Sequence, residues 1–88
     1  MDAETDALPR LTVVTVTYAD RWDTGLALTI DSVLIEPRAD LIVVSNGTAR
    51  DSAARLDAAA ARHPDRITVI DLGRNRGSAP AFAAGLTA

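Results

Sequence analysis

The sequence alternates short apolar runs with longer segments of helical character, and this alternation limits the fold more than any other feature. Three runs are mainly apolar and rich in β-branched residues: LTVVTVTY at 11–18, DLIVVS at 40–45 and ITVIDL at 67–72. Such runs are typical of parallel strands buried on both faces. A strand–helix–strand–helix–strand–helix order predicts an α/β fold with a parallel sheet, right-handed crossovers and three α/β/α layers.

The first of the three helices is predicted from apolar residues at i, i+4, i+7 and i+8, which are Leu26, Ile30, Val33 and Leu34. Pro37 is expected to end this helix. Asp23 or Thr24 is its expected cap. The second, at 52–63, is rich in Ala, with Asp51 as its expected cap and Pro64 after it. Ser78 is the expected cap of the third helix, in which Phe82 and Leu86 are expected to face the sheet.

Composition narrows the class of protein. The 88 residues allow one small domain, and 48% hydrophobic with 24% charged residues is usual for a globular chain. A net charge of -3 argues against nucleic acid as a partner. The absence of cysteine excludes disulfides and thiolate metal sites. Residues 1–10 are acidic and are predicted to be a flexible lead, not a signal peptide. With no apolar run long enough for a membrane span, the expected location is the cytoplasm.

Three loops are expected to meet at one edge of the sheet, because parallel strands all end on the same side and ligands of such sheets bind there. These loops, 18–24, 45–50 and 73–78, contain an aromatic pair, amides, arginines and glycines. Two of them lead into helix N-termini, which favour anions. The combination suits a nucleotide, although polar turns of no function have a similar composition. Neither a G-x-G-x-x-G motif after the first strand nor a phosphate-loop motif is present.

Three motifs at the strand ends carry a resemblance to a known family. VTVTY ending at Tyr18, VVSNGT at 43–48 and NRGSA at 75–79, followed by AGL, are similar to the family-two glycosyltransferases. These enzymes have the Rossmann-like GT-A fold and transfer a sugar from a nucleotide diphosphate to an acceptor hydroxyl, as in polysaccharide synthesis. The resemblance covers residues 11–88 and implies a UDP-, GDP- or dTDP-sugar as partner. The nucleotide-binding residues that it implies are Thr17, Tyr18, Asp20, Arg21, Ser45, Asn46, Gly47, Asn75 and Gly77.

The resemblance also implies what the chain does not supply. The family's Asp-x-Asp motif, which holds Mg²⁺ or Mn²⁺, and its carboxylate base both come later than the third helix. We therefore expect an incomplete domain that is inactive alone, located at the inner membrane face if the acceptor is lipid-linked. The family usually has Asn, Asp and Asn where this chain has Ala19, Ser45 and Ala83.

Two other functions are open. The family's fourth strand lies beside the first, so residues 11–18 would form an open edge through which a non-catalytic module pairs with another chain or a second copy. A small receiver-type domain is the weaker alternative, since Ser45 and Asn46 stand where such domains carry acidic residues. Single residues are also ambiguous. Trp22 is as well suited to plugging the core as to stacking on a ligand, and Arg74 and Arg76 are more often solvated than bound to phosphate.

Overall fold

The structure, a computed structural model, describes residues 9–88, so all but the last two residues of the predicted flexible lead lie outside the described residues. Three strands alternate with three α-helices, and an irregular turn at Trp22–Leu26, in which Gly25 has a non-helical conformation, precedes the first of these helices. The elements are β1 (Leu11–Ala19), α1 (Ala27–Ile35), β2 (Ala39–Thr48), α2 (Arg50–Arg62), β3 (Ile67–Asp71) and α3 (Ser78–Leu86). The predicted order of elements is confirmed.

The sheet is parallel, with strand order β1-β2-β3. The register pairs Thr15 with Val43 and Val43 with Val69. The strand order places β1 at a side edge of this three-stranded sheet, as the family resemblance implies. The β1–β2 register shifts after Thr17, where Ala19 adopts a positive φ of 48°. All three strands end on the side of the sheet that was predicted to carry the site.

The hydrophobic core lies on the sheet face that carries the odd-numbered strand residues. Leu41, Val43 and Ile67 are buried there against side chains of α1 and α2, chiefly Ile30 and Leu56. Since successive strand residues point to opposite faces, the even-numbered residues face the other way, toward α3. Two helices on one face and one on the other complete the predicted three layers.

The third helix contacts the sheet through small residues, which corrects the prediction made for it. Ala81 and Gly85 are buried, whereas Phe82 is 46% and Leu86 75% exposed. A Cβ atom added at Gly85 would be closer to a methyl group of Val14 than van der Waals contact allows. The helix therefore approaches β1 and β2 closely through its small residues, and the large residues at the next positions turn away from the sheet.

The predicted helix caps are wrong. The chain enters α1 through the irregular turn at Trp22–Leu26, and neither Asp23 nor Thr24 makes a side-chain capping bond. Helix α2 starts after Ala49 and α3 after Gly77, so Asp51 and Ser78 lie inside their helices. Strand β2 continues to Thr48, beyond the predicted run at 40–45, and it includes Asn46 and Gly47.

Arginines link the N-terminal ends of the strands, opposite the ends that were predicted to carry the site. Arg66 donates to the backbone oxygens of Ala39 at 2.8 Å and of Glu36 at 2.7 Å. Arg10 forms a two-pronged ion pair with Asp40, at 3.0 and 2.5 Å. This pair lowers the pKa of Asp40, mainly through the hydrogen bond. None of the helices between residues 9 and 88 has the length and apolar character needed to cross a membrane.

Candidate functional site

Asn46 connects the end of β2 to the loop that follows β3. The side chain is only 3% exposed. Its oxygen accepts a bond of 2.8 Å from the backbone N–H of Arg76. Its nitrogen donates to the side-chain oxygen of Asn75 at 3.3 Å and to the backbone oxygen of Gly77 at 3.2 Å. Because these bonds engage both ends of the amide, Asn46 fixes the loop 74–77 in place and is not a free ligand-binding group.

Gly47 allows the same loop to approach β2 closely. It has a φ of +77°, and a Cβ atom placed there would lie 2.6 Å from the backbone nitrogen of Asn75. Both the backbone conformation and the space therefore require glycine. Asn75 continues the arrangement, since its side-chain oxygen also accepts the backbone N–H of Gly77 at 2.9 Å. That bond sets the direction in which the chain enters α3.

Tyr18 and Arg21 form a stacked pair on the first loop. The Arg21 guanidinium carbon lies 4.5 Å from the centre of the Tyr18 ring, and the guanidinium donates to the tyrosine oxygen at 2.8 Å. A cation over an aromatic face is held by the ring quadrupole. Tyr18 is 42% exposed, so a large aromatic surface stands at the end of β1 with one neighbour already fixed beside it.

Asp20 is engaged in holding the first loop against α2. Its carboxylate accepts a hydrogen bond of 2.5 Å from Ser52, which is fully buried. Ser52 in turn accepts the backbone N–H of Trp22 at 3.3 Å. The Trp22 side chain packs against the hydrophobic core. This position favours a packing role for Trp22 over stacking on a ligand. The sequence gives no hint of the part played by Ser52, because nothing marks it among the small residues of α2.

Two neighbouring residues at the strand ends differ in whether their hydroxyl groups are hydrogen-bonded. Ser45 is buried and donates its hydroxyl to that of Thr48 at 2.7 Å, so it too is bonded within the protein. Thr17, its register partner on β1, is 3% exposed, and its hydroxyl oxygen has no hydrogen-bond partner in the described part of the chain. This is an unusual state for a buried polar atom, since the large majority are paired.

Two cavities flank Tyr18. The α3 cavity, of about 300 Å³, lies between the strand ends and the start of α3, and it is lined by Val16, Tyr18, Asn46, Asn75, Gly77, Ser78 and Phe82. The α1 cavity, of about 230 Å³, lies between β1 and the start of α1. Its polar lining comes from Tyr18, Arg21 and four threonines, Thr15, Thr17, Thr24 and Thr29. Val16 and Tyr18 line both cavities.

The structure brings most of the predicted residues together at the C-terminal ends of the strands, but it divides them between two cavities and the surrounding loops. Four line the α3 cavity, and Thr17 and Arg21 line the α1 cavity with Tyr18. Asp20, Ser45 and Gly47 line neither cavity in this arrangement and stabilise the surrounding loops. Of the residues that line the α3 cavity, sequence reasoning did not identify Val16, Ser78 and Phe82 as site residues. The alternation along β1 could have identified Val16, which shares a strand face with Tyr18.

A divalent metal does not fit the residues that the structure describes. Within 9–88 no three Asp, Glu or His side chains are grouped so that they could hold a metal ion, and Mg²⁺ and Mn²⁺ prefer oxygen ligands of that kind. Asp71, at the end of β3, accepts the backbone N–H of Gly73 at 2.8 Å within its own turn. No chemical step through a metal is therefore assigned to this part of the chain.

Comparison with known proteins identifies the family. The model of Glycosyl transferase family 2 matches residues 12–88. The chain belongs to this family, and the resemblance seen in the sequence is confirmed. Among solved structures, the chain is similar to the mannosyltransferase PcManGT from Pyrobaculum calidifontis, in complex with GDP-Man and Mn²⁺, with a TM-score of 0.62 and 24% identity.

That alignment covers 90% of this chain and 24% of the mannosyltransferase, so the chain spans about a quarter of the length of the similar structure. At this identity the likeness confirms the fold, a βαβαβα unit like the start of a GT-A domain. No curated protein sequence matches the chain significantly.

Proposed function

We propose that the chain is the donor-binding part of a glycosyltransferase and that the α3 cavity takes the nucleoside diphosphate of a nucleotide-sugar. The observation that carries this proposal is the lining of the cavity. Tyr18, Asn46, Asn75 and Gly77, which come from all three family-like motifs, surround one space at the ends of the parallel strands. Ligand pockets have volumes from about 300 Å³ upward, so the cavity is large enough for part of such a ligand.

Each lining group has a chemical role in this proposal. The exposed ring of Tyr18 offers a stacking surface for the base or ribose. The Asn75 amide offers hydrogen bonds to the ribose. The N-terminus of α3, which begins after Gly77, favours the negative diphosphate through its free backbone N–H groups and the helix dipole. Asn46 acts indirectly by holding the loop that contributes two of these groups.

The complete reaction that we propose is transfer of the sugar to an acceptor hydroxyl, with a divalent metal and a carboxylate base supplied by parts of a family domain outside this unit. The described residues contribute binding and orientation of the donor and no group placed for the transfer itself. A cytoplasmic location, at the inner membrane face if the acceptor is lipid-linked, is part of the same proposal.

Isothermal titration with UDP, GDP and dTDP tests donor binding. We expect heat with at least one of them. Tyr18→Ala should lower the affinity by about 10-fold, since stacking on an aromatic ring contributes about 1–3 kcal/mol per base. Leu28→Ala is the control, because Leu28 is 72% exposed on α1 and lines neither cavity. The absence of heat with all three nucleotides, on a folded sample, would contradict the proposal.

A second candidate function, a non-catalytic module that pairs with another chain, is favoured by the edge position of β1. Its nine residues carry no charge, and the outer edge has no strand beside it among residues 9–88. An uncharged open edge is a surface for pairing with another strand. Sedimentation velocity over a wide concentration range tests this candidate. Self-association or capture of a partner strand supports it, whereas a stable monomer at high concentration contradicts it.

A further inference from the structure

Asn46 and Gly47 form the one Asn-Gly pair in the sequence. Asparagine is a chemically labile residue, and a following glycine leaves its backbone nitrogen sterically open to the asparagine side chain. The sequence has one other side-chain amide, Asn75, which is followed by Arg76, and it contains no glutamine. One amide of the chain is therefore suited to spontaneous deamidation, and the other provides an internal comparison.

Deamidation at such a pair begins when the backbone nitrogen of Gly47 attacks the side-chain carbonyl carbon of Asn46. A carbon–nitrogen bond forms, and the side-chain nitrogen takes the proton of the Gly47 N–H and leaves as ammonia. The product of this step is a five-membered succinimide ring. Water then opens the ring at one of its two carbonyl groups, which gives aspartate or isoaspartate. The reaction exchanges ammonia for water and needs no oxidant or cofactor.

The folded structure opposes the first step of this reaction. Asn46 lies in the extended strand β2, is 3% exposed, and directs its amide to three residues of the loop 74–77. The amide must leave all three partners before it can turn back toward the next backbone nitrogen. The loop itself can open locally, since every residue from 73 to 80 is exposed and exposed segments are the least stable parts of a fold. Opening of the loop is therefore the event that permits the reaction.

We propose that Asn46 is a deamidation site controlled by opening of the loop 74–77, and that its modification irreversibly disables the α3 cavity. A carboxylate at this position has no N–H to donate to the backbone oxygen of Gly77. Isoaspartate also adds a methylene group to the main chain of β2, beside the cavity wall. Both products therefore lose a bond that positions the loop. The effect on nucleotide binding rests on the proposed function of the cavity, whereas the modification itself does not.

Mass spectrometry of tryptic peptides measures the reaction at each asparagine. Cleavage after arginine gives a peptide of residues 39–50, which contains Asn46, and leaves Asn75 in a different peptide. In mildly alkaline buffer, the chain unfolded in guanidinium should lose the amide of Asn46 faster than that of Asn75. In the folded chain the reaction at Asn46 should be at least about 10-fold slower, which corresponds to an opening free energy of about 1.4 kcal/mol. Equal rates at the two asparagines of the unfolded chain would overturn the site, and equal rates at Asn46 in both states would overturn its control by the fold.

Two variants separate opening of the loop from unfolding of the whole chain. Asn75→Ala removes one of the three partners of Asn46 and should accelerate the reaction there by about 2–10-fold, the effect of one hydrogen bond. Ile30→Val is the control, because it weakens the core, where Ile30 is 3% exposed, without touching the loop. The rate at Asn46 should not change in this variant. Equal acceleration in both variants would show that the reaction follows global unfolding and would overturn the control by the loop.

Protection by nucleotide links the modification to the α3 cavity. At a concentration about 10 times its Kd, a nucleotide that needs the closed loop should slow the reaction at Asn46 by about 10-fold. The modified fraction, separated by ion exchange through its added negative charge, should bind the same nucleotide at least about 10-fold more weakly. Slowing without weaker binding, or weaker binding without slowing, would overturn the link to the cavity. Absence of nucleotide binding to the unmodified chain would contradict the proposed function and this link together, while the rates in the folded chain and its variants still decide the modification site.

Discussion

The backbone N–H of Arg76 donates a hydrogen bond of 2.8 Å to the side-chain oxygen of Asn46, thirty residues earlier in the chain. A buried side chain on β2 therefore holds the loop after β3 in position. The amide also donates to Asn75 and to Gly77, so one residue determines where two groups of the α3 cavity lie. The shape of the proposed nucleotide site depends on this single side chain.

Asn46→Ala should destabilise the protein by about 1–3 kcal/mol, because it leaves the N–H of Arg76 and the oxygen of Gly77 without their partner. Urea unfolding measures the loss, and hydrogen exchange of the Arg76 and Gly77 amides should accelerate. Asn75→Ala is the comparison. Its side chain takes part in the same network but is exposed, so the loss should be smaller. Equal effects of the two substitutions would show that Asn46 has no special part.

Gly47 and Gly73 offer a matched pair for separating backbone strain from steric overlap. Their φ angles are +77° and +78°, but only Gly47 has backbone atoms where a Cβ would be placed. Gly73→Ala should destabilise by about 1–2 kcal/mol, the cost of a left-handed conformation for an L-residue. Gly47→Ala should cost at least about 1 kcal/mol more, as is usual for overpacking. Urea unfolding of both variants gives the difference, and similar values would contradict the close approach of β2 to Asn75.

Ala19 has a backbone conformation that is unfavourable for alanine. It is the only residue other than glycine with a positive φ, 48°, among residues 9–88. The Asn that the resemblance leads one to expect there adopts this conformation more readily than Ala. Ala19→Asn and Ala19→Gly should each stabilise the protein by about 0.5–1 kcal/mol, and Ala19→Val should destabilise it. Thermal unfolding gives the order, and a valine variant as stable as the asparagine variant would be the contrary result.

The ion pair of Arg10 and Asp40 predicts a loss of stability in acid. The hydrogen bond from Arg10 lowers the pKa of Asp40 below its ordinary value. The pair therefore stabilises the fold fully above the unfolded-state pKa, about 3.9, and this contribution disappears as the pH falls through the lower folded-state value. Urea unfolding across that range should show a weaker pH dependence for Asp40→Asn than for the original chain. Glu36, whose pKa is also lowered by its bonds from Arg38, should behave in the same direction.

The fold could be predicted from sequence because its strongest signals are local. Three β-branched runs separated by helical segments determine a parallel sheet, and the hydrophobic spacing correctly identified Leu26 and Ile30 as buried. The third helix could not be predicted in the same way. Large residues at i and i+4 usually face a core, but the approach of α3 to Val14 and Val44 leaves room only for Ala81 and Gly85.

The location of the candidate site could be predicted from the sequence, but the role of each of its residues could be predicted less well. Parallel strands had to bring the three loops together, and they did. Whether a polar side chain faces a ligand or a neighbouring loop depends on partners about thirty residues away, as in the bonds of Asp20 to Ser52 and of Asn46 to Arg76. Sequence spacing does not contain that information. The unpaired hydroxyl of Thr17 likewise follows from tertiary packing.

An NMR titration of the chain with UDP, GDP and dTDP tests the central claim most directly, because it shows where a nucleotide binds. The amide signals of Tyr18, Asn75, Gly77 and Ser78, which line the α3 cavity, should move together and saturate with a single affinity for at least one nucleotide. The amide signals of Arg10 and Asp40, at the N-terminal ends of β1 and β2, should not shift. Shifts confined to other parts of the chain, or no saturable shift with any of the three nucleotides, would contradict a nucleotide site between the strand ends and α3.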